Sequence, residues 1–509
     1  MGQDLNYDLL QYHFYNGYAF LHHHLNQDIA PAMVQTYINP YFDVINYLLI
    51  ELQHPIVTEF LFGAISGIGW FVAYKIAILF FADFPVRQQR IYVIYSLLLS
   101  FTGAASISLL NTTTNDTKMS LFVILALWCL IKAMTTTKSS GYIAMSGFLI
   151  GMATGLKLTA GCYAISLLMT LFIIVKSDRK NLLLCLLMTI CILMGFLIVD
   201  GYWMYVIYRQ FHNPFFPYFN NVFHSPYAPY SSFNLSPVRE TLHFYHYLFF
   251  FIFVAIKGNL TAEVTMRDPR LLFTFTLFLL TFIKLCNTHK HQTYQAHVTR
   301  NITIIFFVTS YCVWLLSFAV YRYMLPLEWI MGMIIVYLLI LLIKTPRMQH
   351  IMMCTSIFLL ILATHYPDWN NRLAYQNSYL SLQIPKIPEN SLILLTTVPL
   401  GYTVPFFSAT NRFVGMPFID LGVDDVTNEQ IQRRKILVDT MSNVLHELSF
   451  RPVYTLSFEQ EDRFSSKSIK ILNYFGMKQD MPGCEWVTTN IRSKHGKLKL
   501  CKVGISHSN

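Results

Sequence analysis

Apolar runs of about 14 to 25 residues, almost free of charge, recur along the chain from Ile56 to Tyr366. A helix rises 1.5 Å per residue, so runs of this kind match the ~30 Å hydrocarbon core of a bilayer and predict a polytopic helical membrane protein. The pattern gives about ten spans: Ile56–Phe80, Ile91–Leu110, Lys118–Met134, Tyr142–Gly155, Leu158–Val175, Leu182–Val199, Leu271–Leu285, Ile302–Val320, Leu325–Ile343 and Ile351–Thr364. A further run, His243–Leu260, is long enough to cross. Crossing there would move every later basic link to the opposite side, so it reads as interfacial or re-entrant.

Beyond Thr364 the period changes. "SLILLTTVPLGYTVPFF" alternates like strands, "NEQIQRRKILVDTMSNVLHEL" has a helical period, and "PVYTLSFE" and "KLKLCKVGI" read as strands. The predicted fold is an all-α polytopic transmembrane helical bundle with a small C-terminal extracytoplasmic α/β domain. Residues 1–55 form a first extracytoplasmic loop with interfacial helices. Residues 56–364 form the helical region, with an extracytoplasmic loop over 200–270, and residues 365–509 form the α/β domain. No internal repeat or low-complexity tract is visible.

Charge orients this pattern. The chain is 54% hydrophobic and 13% charged, with a formal net charge of +10. That balance would suit nucleic acid, but the basic residues collect in the links of one side: Arg87 and Arg90, Lys132 and Lys138, Lys176 with Arg179 and Lys180, Lys284 with Lys290 and Arg300, Lys344 with Arg347. Short basic links stay cytoplasmic, so the charge anchors the chain and no nucleic-acid partner is expected. Before Pro55 stand five acids (Asp4, Asp8, Asp28, Asp43, Glu51) and no Lys or Arg, which puts that stretch outside. No cleavable signal peptide is expected ahead of Asp4. Seven cysteines lie in apolar runs and read as small buried hydrophobes. Cys484 and Cys501 lie in the polar C-terminal region. An outward domain sits in an oxidising compartment, where these two would pair as a disulfide; the alternative is two separate thiols.

Several residues carry candidate chemistry. In "YDLLQYHFY", helical spacing puts Asp8 and Tyr12 on one face with His13 one step round, a carboxylate beside a phenol and an imidazole at the membrane edge. The plainer alternative, favoured on spacing alone, is an interfacial helix with Asp8 as polar decoration. Asp116 in "NTTTNDTKMS" precedes a span and is either an N-cap or a second acid. Lys157 in "GLKLTAG" interrupts two apolar runs, and a cation at that depth needs an anionic partner unless it snorkels to water. "NPFFPYFNNVFHSPY", opening at Asn213, has prolines that block a continuous helix and aromatics suited to stacking on sugar, to a lipid chain or to an interfacial belt. Asp268, Arg270, Arg322 and Glu328 stand at span ends. Three adjacent histidines, His22 to His24, diverge on a helix and make a poor metal site.

Taken in order, "DLLQYHFYN", "INPYFDV", "NDTKMSLFVILAL", "GLKLTAG", "NPFFPYFNNVFHSPY", "RDPR" and "YRYMLPLE" resemble the GT-C superfamily of polytopic glycosyltransferases, which use polyprenyl-phosphate-linked sugars. The matching stretches cover roughly the first two thirds of the chain, and the likeness is greatest to bacterial inner-membrane members. The resemblance implies a lipid-linked sugar donor, a glycan, lipid or protein acceptor, and an active site on the extracytoplasmic face. It implies catalytic roles for Asp8, with Asp116 in support and His13 beside it. Asp4, Tyr12, Lys157, Asn213, Asp268, Arg270 and Arg322 become substrate-binding candidates, Lys157 and Arg322 for the carrier phosphate. A divalent cation (Mg or Mn) is compatible with that chemistry, and no motif firmly implies one. The family carries a transmembrane helix ahead of the first external loop, whereas Met1 lies seven residues before Asp8, so either the start is misassigned or truncated or an N-tail without positive charge crosses unaided.

Two other classes compete. A transporter or lipid flippase also uses intramembrane charge but typically shows repeated halves and broken helices near the midplane. A non-catalytic envelope assembly protein would use the outer domain to bind a partner.

Overall fold

The structure, a computed structural model, describes residues 2–136, 139–175, 179–227, 243–256, 258, 262, 264–285, 294–369, 371–419, 435–448, 450–460, 463–491 and 496–505. Among them, seven helical segments are long and apolar enough to cross a membrane: Pro55–Phe80, Asn115–Thr135, Leu158–Val175, Leu182–Phe211, Tyr294–Ser317, Tyr321–Leu342 and Pro346–Ala363. The other expected spans are also helical, over Val86–Phe101, Ser139–Leu156 and Arg270–Leu285. The chain is a multi-pass membrane protein.

Two apolar runs are broken. The run expected over Ile91–Leu110 becomes the helices Val86–Phe101 and Ala104–Ser108. Between them a Cβ on Gly103 would collide with the Glu328 carboxylate, so only glycine lets the chain pass. The run beginning at His243 forms two short helices, Phe244–Leu248 and Phe250–Ile256. The longer one, of 7 residues, rises only about 10 Å, too little to cross. Residues 257, 259 and 260 of that run lie outside the described residues.

The chain divides into two compact units. The helical unit comprises residues 60–201 and 235–371. Its central element, Tyr321–Leu342, is 89% buried over its most apolar window, so it is the hub on which the other helices pack. Helix Ser139–Leu156 carries Gly147, Gly151 and Gly155 at four-residue spacing. A Cβ on Gly151 would meet the Ile192 carbonyl, so this stripe lets the backbone approach helix Arg179–Phe211 closely.

The other unit comprises Met1–Glu59, Tyr202–Asn234 and Arg372–Asn509. It is built on a six-stranded sheet in the order β1-β5-β6-β4-β2-β3, with β1 Leu382–Gln383, β2 Leu392–Leu395, β3 Arg412–Gly415, β4 Val453–Phe458, β5 Met477–Thr489 and β6 Leu498–Ile505. β3, β2 and β4 are parallel, and β4, β6, β5 and β1 pair antiparallel. Every residue of β2 is buried because both sheet faces are covered. On one face Ile393, Leu395, Leu456 and Leu500 pack with Leu9, Phe14, Tyr15 and Tyr18 from the N-terminal stretch. On the other, Leu392, Leu394, Val453 and Val503 pack with Met441, Val444, Ile471 and Leu472. These last four come from helices Lys435–Leu448 and Arg463–Tyr474. The N-terminal residues are therefore one layer of the same unit as the C-terminal sheet. Cys484 and Cys501 face each other across β5 and β6 and form a disulfide.

Candidate active site

In the helical unit, three chain breaks bring charge together. Asp116 lies in the first turn of helix Asn115–Thr135, whose N-cap is Thr114, so its carboxylate meets the positive end of the helix. Lys157 follows the end of helix Ser139–Leu156 with an extended backbone (φ −151°, ψ 108°), ahead of the turn Leu158–Ala160. Arg322 lies in the turn Tyr321–Met324 that leads into helix Leu325–Leu342. The Asp116 carboxylate is fully buried, accepts a hydrogen bond from Lys157 Nζ on Oδ1, and has Arg322 Nη1 3.7 Å from Oδ2. Lys157 and Arg322 keep 16% and 15% of their side chains exposed, so the cations reach solvent where the acid does not.

The Tyr323 ring lies close to both cations. Lys157 Nζ lies 4.7 Å and Arg322 Cζ 5.2 Å from its ring centroid, both within cation–π range. Tyr163 fixes this turn by donating its hydroxyl to the Tyr323 carbonyl at 2.6 Å. Lys118, two residues beyond Asp116, is buried and donates to the Thr113 carbonyl at 3.0 Å and to Asn115 Oδ1 at 3.2 Å. Two partly exposed cations beside one buried acid can take an anion with several oxygens, such as a phosphate.

Asp268 and Arg270 do a different job from the substrate binding expected of them. Arg270 is almost fully buried. Its N–H groups go to the Leu99 carbonyl at 3.0 Å, to both Asp268 oxygens at 3.0 Å, to Thr364 Oγ1 at 2.8 Å, and to the carbonyl and hydroxyl of Thr102 at 2.6 and 2.9 Å. That uses all five guanidinium donors. Asp268 also accepts from the Ala104 amide at 2.9 Å, while Glu328 accepts from the Ala105 and Ser106 amides at 3.0 and 2.8 Å. Tyr321 bridges them, 3.1 Å from Asp268 and 2.7 Å from Glu328. The buried N-terminus of helix Ala104–Ser108 would otherwise leave these amides without acceptors. The cluster is a brace.

Asp8 stands at the head of the turn Leu9–His13 in the other unit, partly exposed. Tyr12 and His13 are buried with ring centroids 4.1 Å apart. His13 Nδ1 lies 2.6 Å from Asp43 Oδ1, and Asn16 donates to Asp43 Oδ2 at 3.2 Å. The buried His13 imidazole thus ties the start of helix Phe14–Leu21 to helix Tyr41–Leu52. Asp4 is likewise buried, accepting from the Asn6 amide at 3.1 Å, and Asn6 in turn accepts from the Leu9 amide at 2.7 Å. Asn213 is buried and braces its own loop, donating to the Tyr218 carbonyl at 2.9 Å. Asp4 and Asn213 are thus both buried and bonded within their own loops.

His24 approaches Asp28 at 3.3 Å, and Asp28 also accepts from the Tyr15 hydroxyl and the Phe413 amide, each at 3.0 Å. Burial pushes the Asp28 carboxyl above its ordinary range, and bonding to His24 and Phe413 pulls it partly back. Tyr323, Tyr321 and Glu328 had the weakest sequence signals relative to their part in the structure. For Glu328 the one cue is an acid inside an apolar run.

No family model matches the chain, and no curated protein matches it. Two solved structures are similar to it. One is ArnT from Cupriavidus metallidurans bound to undecaprenyl phosphate, at 14% identity and a TM-score of 0.46, covering 70% of this chain and 59% of that one. The other is the Archaeoglobus fulgidus oligosaccharyltransferase in the apo form, at 11% identity and a TM-score of 0.45, covering 90% of this chain and 66% of that one. This chain spans less than two thirds of the length of either.

Proposed function

We propose that the chain is a membrane glycosyltransferase of the GT-C superfamily, moving a sugar from a polyprenyl-phosphate-linked donor to an acceptor on the extracytoplasmic side, in a bacterial inner membrane. The observation that carries this reading is the pair of partly exposed cations, Lys157 and Arg322, gathered on one buried carboxylate at the ends of apolar helices. A lipid phosphate would present its oxygens at that depth, and two cations would neutralise it.

In the reaction, the acceptor hydroxyl oxygen forms a bond to the anomeric carbon. The bond from that carbon to the phosphate oxygen breaks, and the carrier phosphate keeps the electron pair. Lys157 and Arg322 stabilise the added charge. The acceptor proton passes to the Asp8 carboxylate. Asp116 acts through the two cations, holding them in place, and does not touch the reacting atoms.

The test is reconstitution of the full chain into proteoliposomes with a radiolabelled lipid-linked sugar pool and an envelope extract as acceptor. Label moving into the acceptor supports the proposal. Label crossing the bilayer on an unchanged lipid points to a flippase, and neither event points to an assembly protein.

A further inference from the structure

The aromatic stretch after helix Arg179–Phe211 splits into a buried half and an exposed half. Phe211 and Phe216 stack with centroids 4.0 Å apart, and Tyr37 packs edge-on against both. The exposed half is a four-residue helical turn, Asn220–Phe223, flanked by Phe219 and His224, both at φ 54°. Left-handed backbone is costly at a residue as bulky as phenylalanine, so the surroundings must hold it there. Asn220 does so from inside: its Nδ2 donates to the Ser225 carbonyl at 3.0 Å, and its Oδ1 accepts from the Ser225 amide at 2.7 Å. This locked hook presents Phe219, Val222 and Phe223 outward at 44%, 63% and 36% exposure. An ordered loop that keeps three large apolar side chains outside has a surface made to be covered.

The helix leading into the hook indicates the cover. Leu186, Ile190, Met194, Leu197 and Ile198 are exposed along one stripe of a candidate span, and Tyr202, Tyr205 and Tyr208 continue that stripe, also exposed. From Leu182 to Ile198 the helix rises about 25 Å, close to the hydrocarbon thickness, and tyrosines then replace the aliphatic residues. That replacement is the mark of the headgroup level, where rings with a polar tip are favoured. The hook begins at Phe219, eleven residues after Tyr208.

We infer that the hook Phe219–His224 is a membrane-interface anchor, seating Phe219, Val222 and Phe223 among the lipid headgroups and upper acyl chains beside the tyrosine band. Its occupant is the bilayer, not sugar or a partner protein, and this holds whether or not the chain transfers sugar.

The test uses the full chain with Val222→Cys, labelled with an environment-sensitive fluorophore and reconstituted into vesicles. The same protein without the new cysteine supplies the background, and Phe223→Cys serves as a second position. Vesicle lipids carry a quencher either near the headgroup end or near the far end of the acyl chain. Burial of about 5–10 Å into the interface predicts that the shallow quencher removes about half of the emission and the deep one distinctly less. Emission untouched by both quenchers, whether water-like or blue-shifted under a protein cover, would overturn the inference. Stronger quenching by the deep probe would overturn it as well.

Discussion

Arg322 and Arg270 belong to the same unit and carry the same charge, yet their surroundings assign them different work. Arg270 has every donor bonded to protein, and Asp268 would be left buried and unpaired without it. Arg270→Met should therefore cost about 3–5 kcal/mol of stability. Arg322→Met should cost much less and weaken donor binding instead, as should Lys157→Ala. Thermal unfolding in detergent, alongside a pull-down of the lipid-linked donor, separates the two. Equal destabilisation by both would refute the division. Sequence made both arginines visible as charges at span ends but could not rank them, because the distinction depends on carbonyls of Leu99 and Thr102 far away along the chain. Asp28 makes a pH prediction at the same scale. Its folded carboxyl is raised by burial, so the proton is held more tightly folded than unfolded. Its stabilising contribution is complete at low pH, below the ordinary Asp value of about 4, and is lost as pH rises through the raised folded value. Asp28→Asn should flatten that part of the melting-temperature profile, and an unchanged slope would count against it.

Helices were the most legible elements, since long apolar runs leave few alternatives in lipid. The break at Gly103 was not legible, because its cause is Glu328, which caps the amides of the next short helix from another span. Gly103→Ala should force the chain away from that carboxylate and destabilise the helical unit by about 1–3 kcal/mol. Glu328→Gln keeps one acceptor oxygen and should be milder than Glu328→Ala, which strands the Ala105 and Ser106 amides. Melting temperatures in the order wild type, Glu328→Gln, Glu328→Ala would support the capping role. The reverse order of the two variants would contradict it. Strands β4 and β6 were legible from alternation, whereas the residues 428–434 of the predicted helical stretch lie outside the described residues.

For the whole molecule, the assembly of the sheet-containing unit from three distant segments was hidden from sequence, because local period carries no information about which layers meet. The helix containing Asp8 forms part of the cover over the C-terminal sheet, so the candidate base is held by the unit that also carries the Cys484–Cys501 disulfide. With that unit outside, denatured and unreduced protein should lack two of its nine thiols. A cysteine introduced at the exposed Ser466 should react with an impermeant reagent on intact spheroplasts. Nine free thiols, or protection of position 466 until the membrane is opened, would contradict the outward placement. The central claim is sugar transfer with Asp8 as the base, and one measurement meets it directly: initial transfer rate from the radiolabelled lipid-linked donor by folded Asp8→Asn against wild type, with donor binding measured in parallel. The substitution keeps the side chain's shape and removes its basicity, so the account predicts a loss of about two to four powers of ten in rate with donor binding nearly unchanged. A near-normal rate from the folded variant would contradict it.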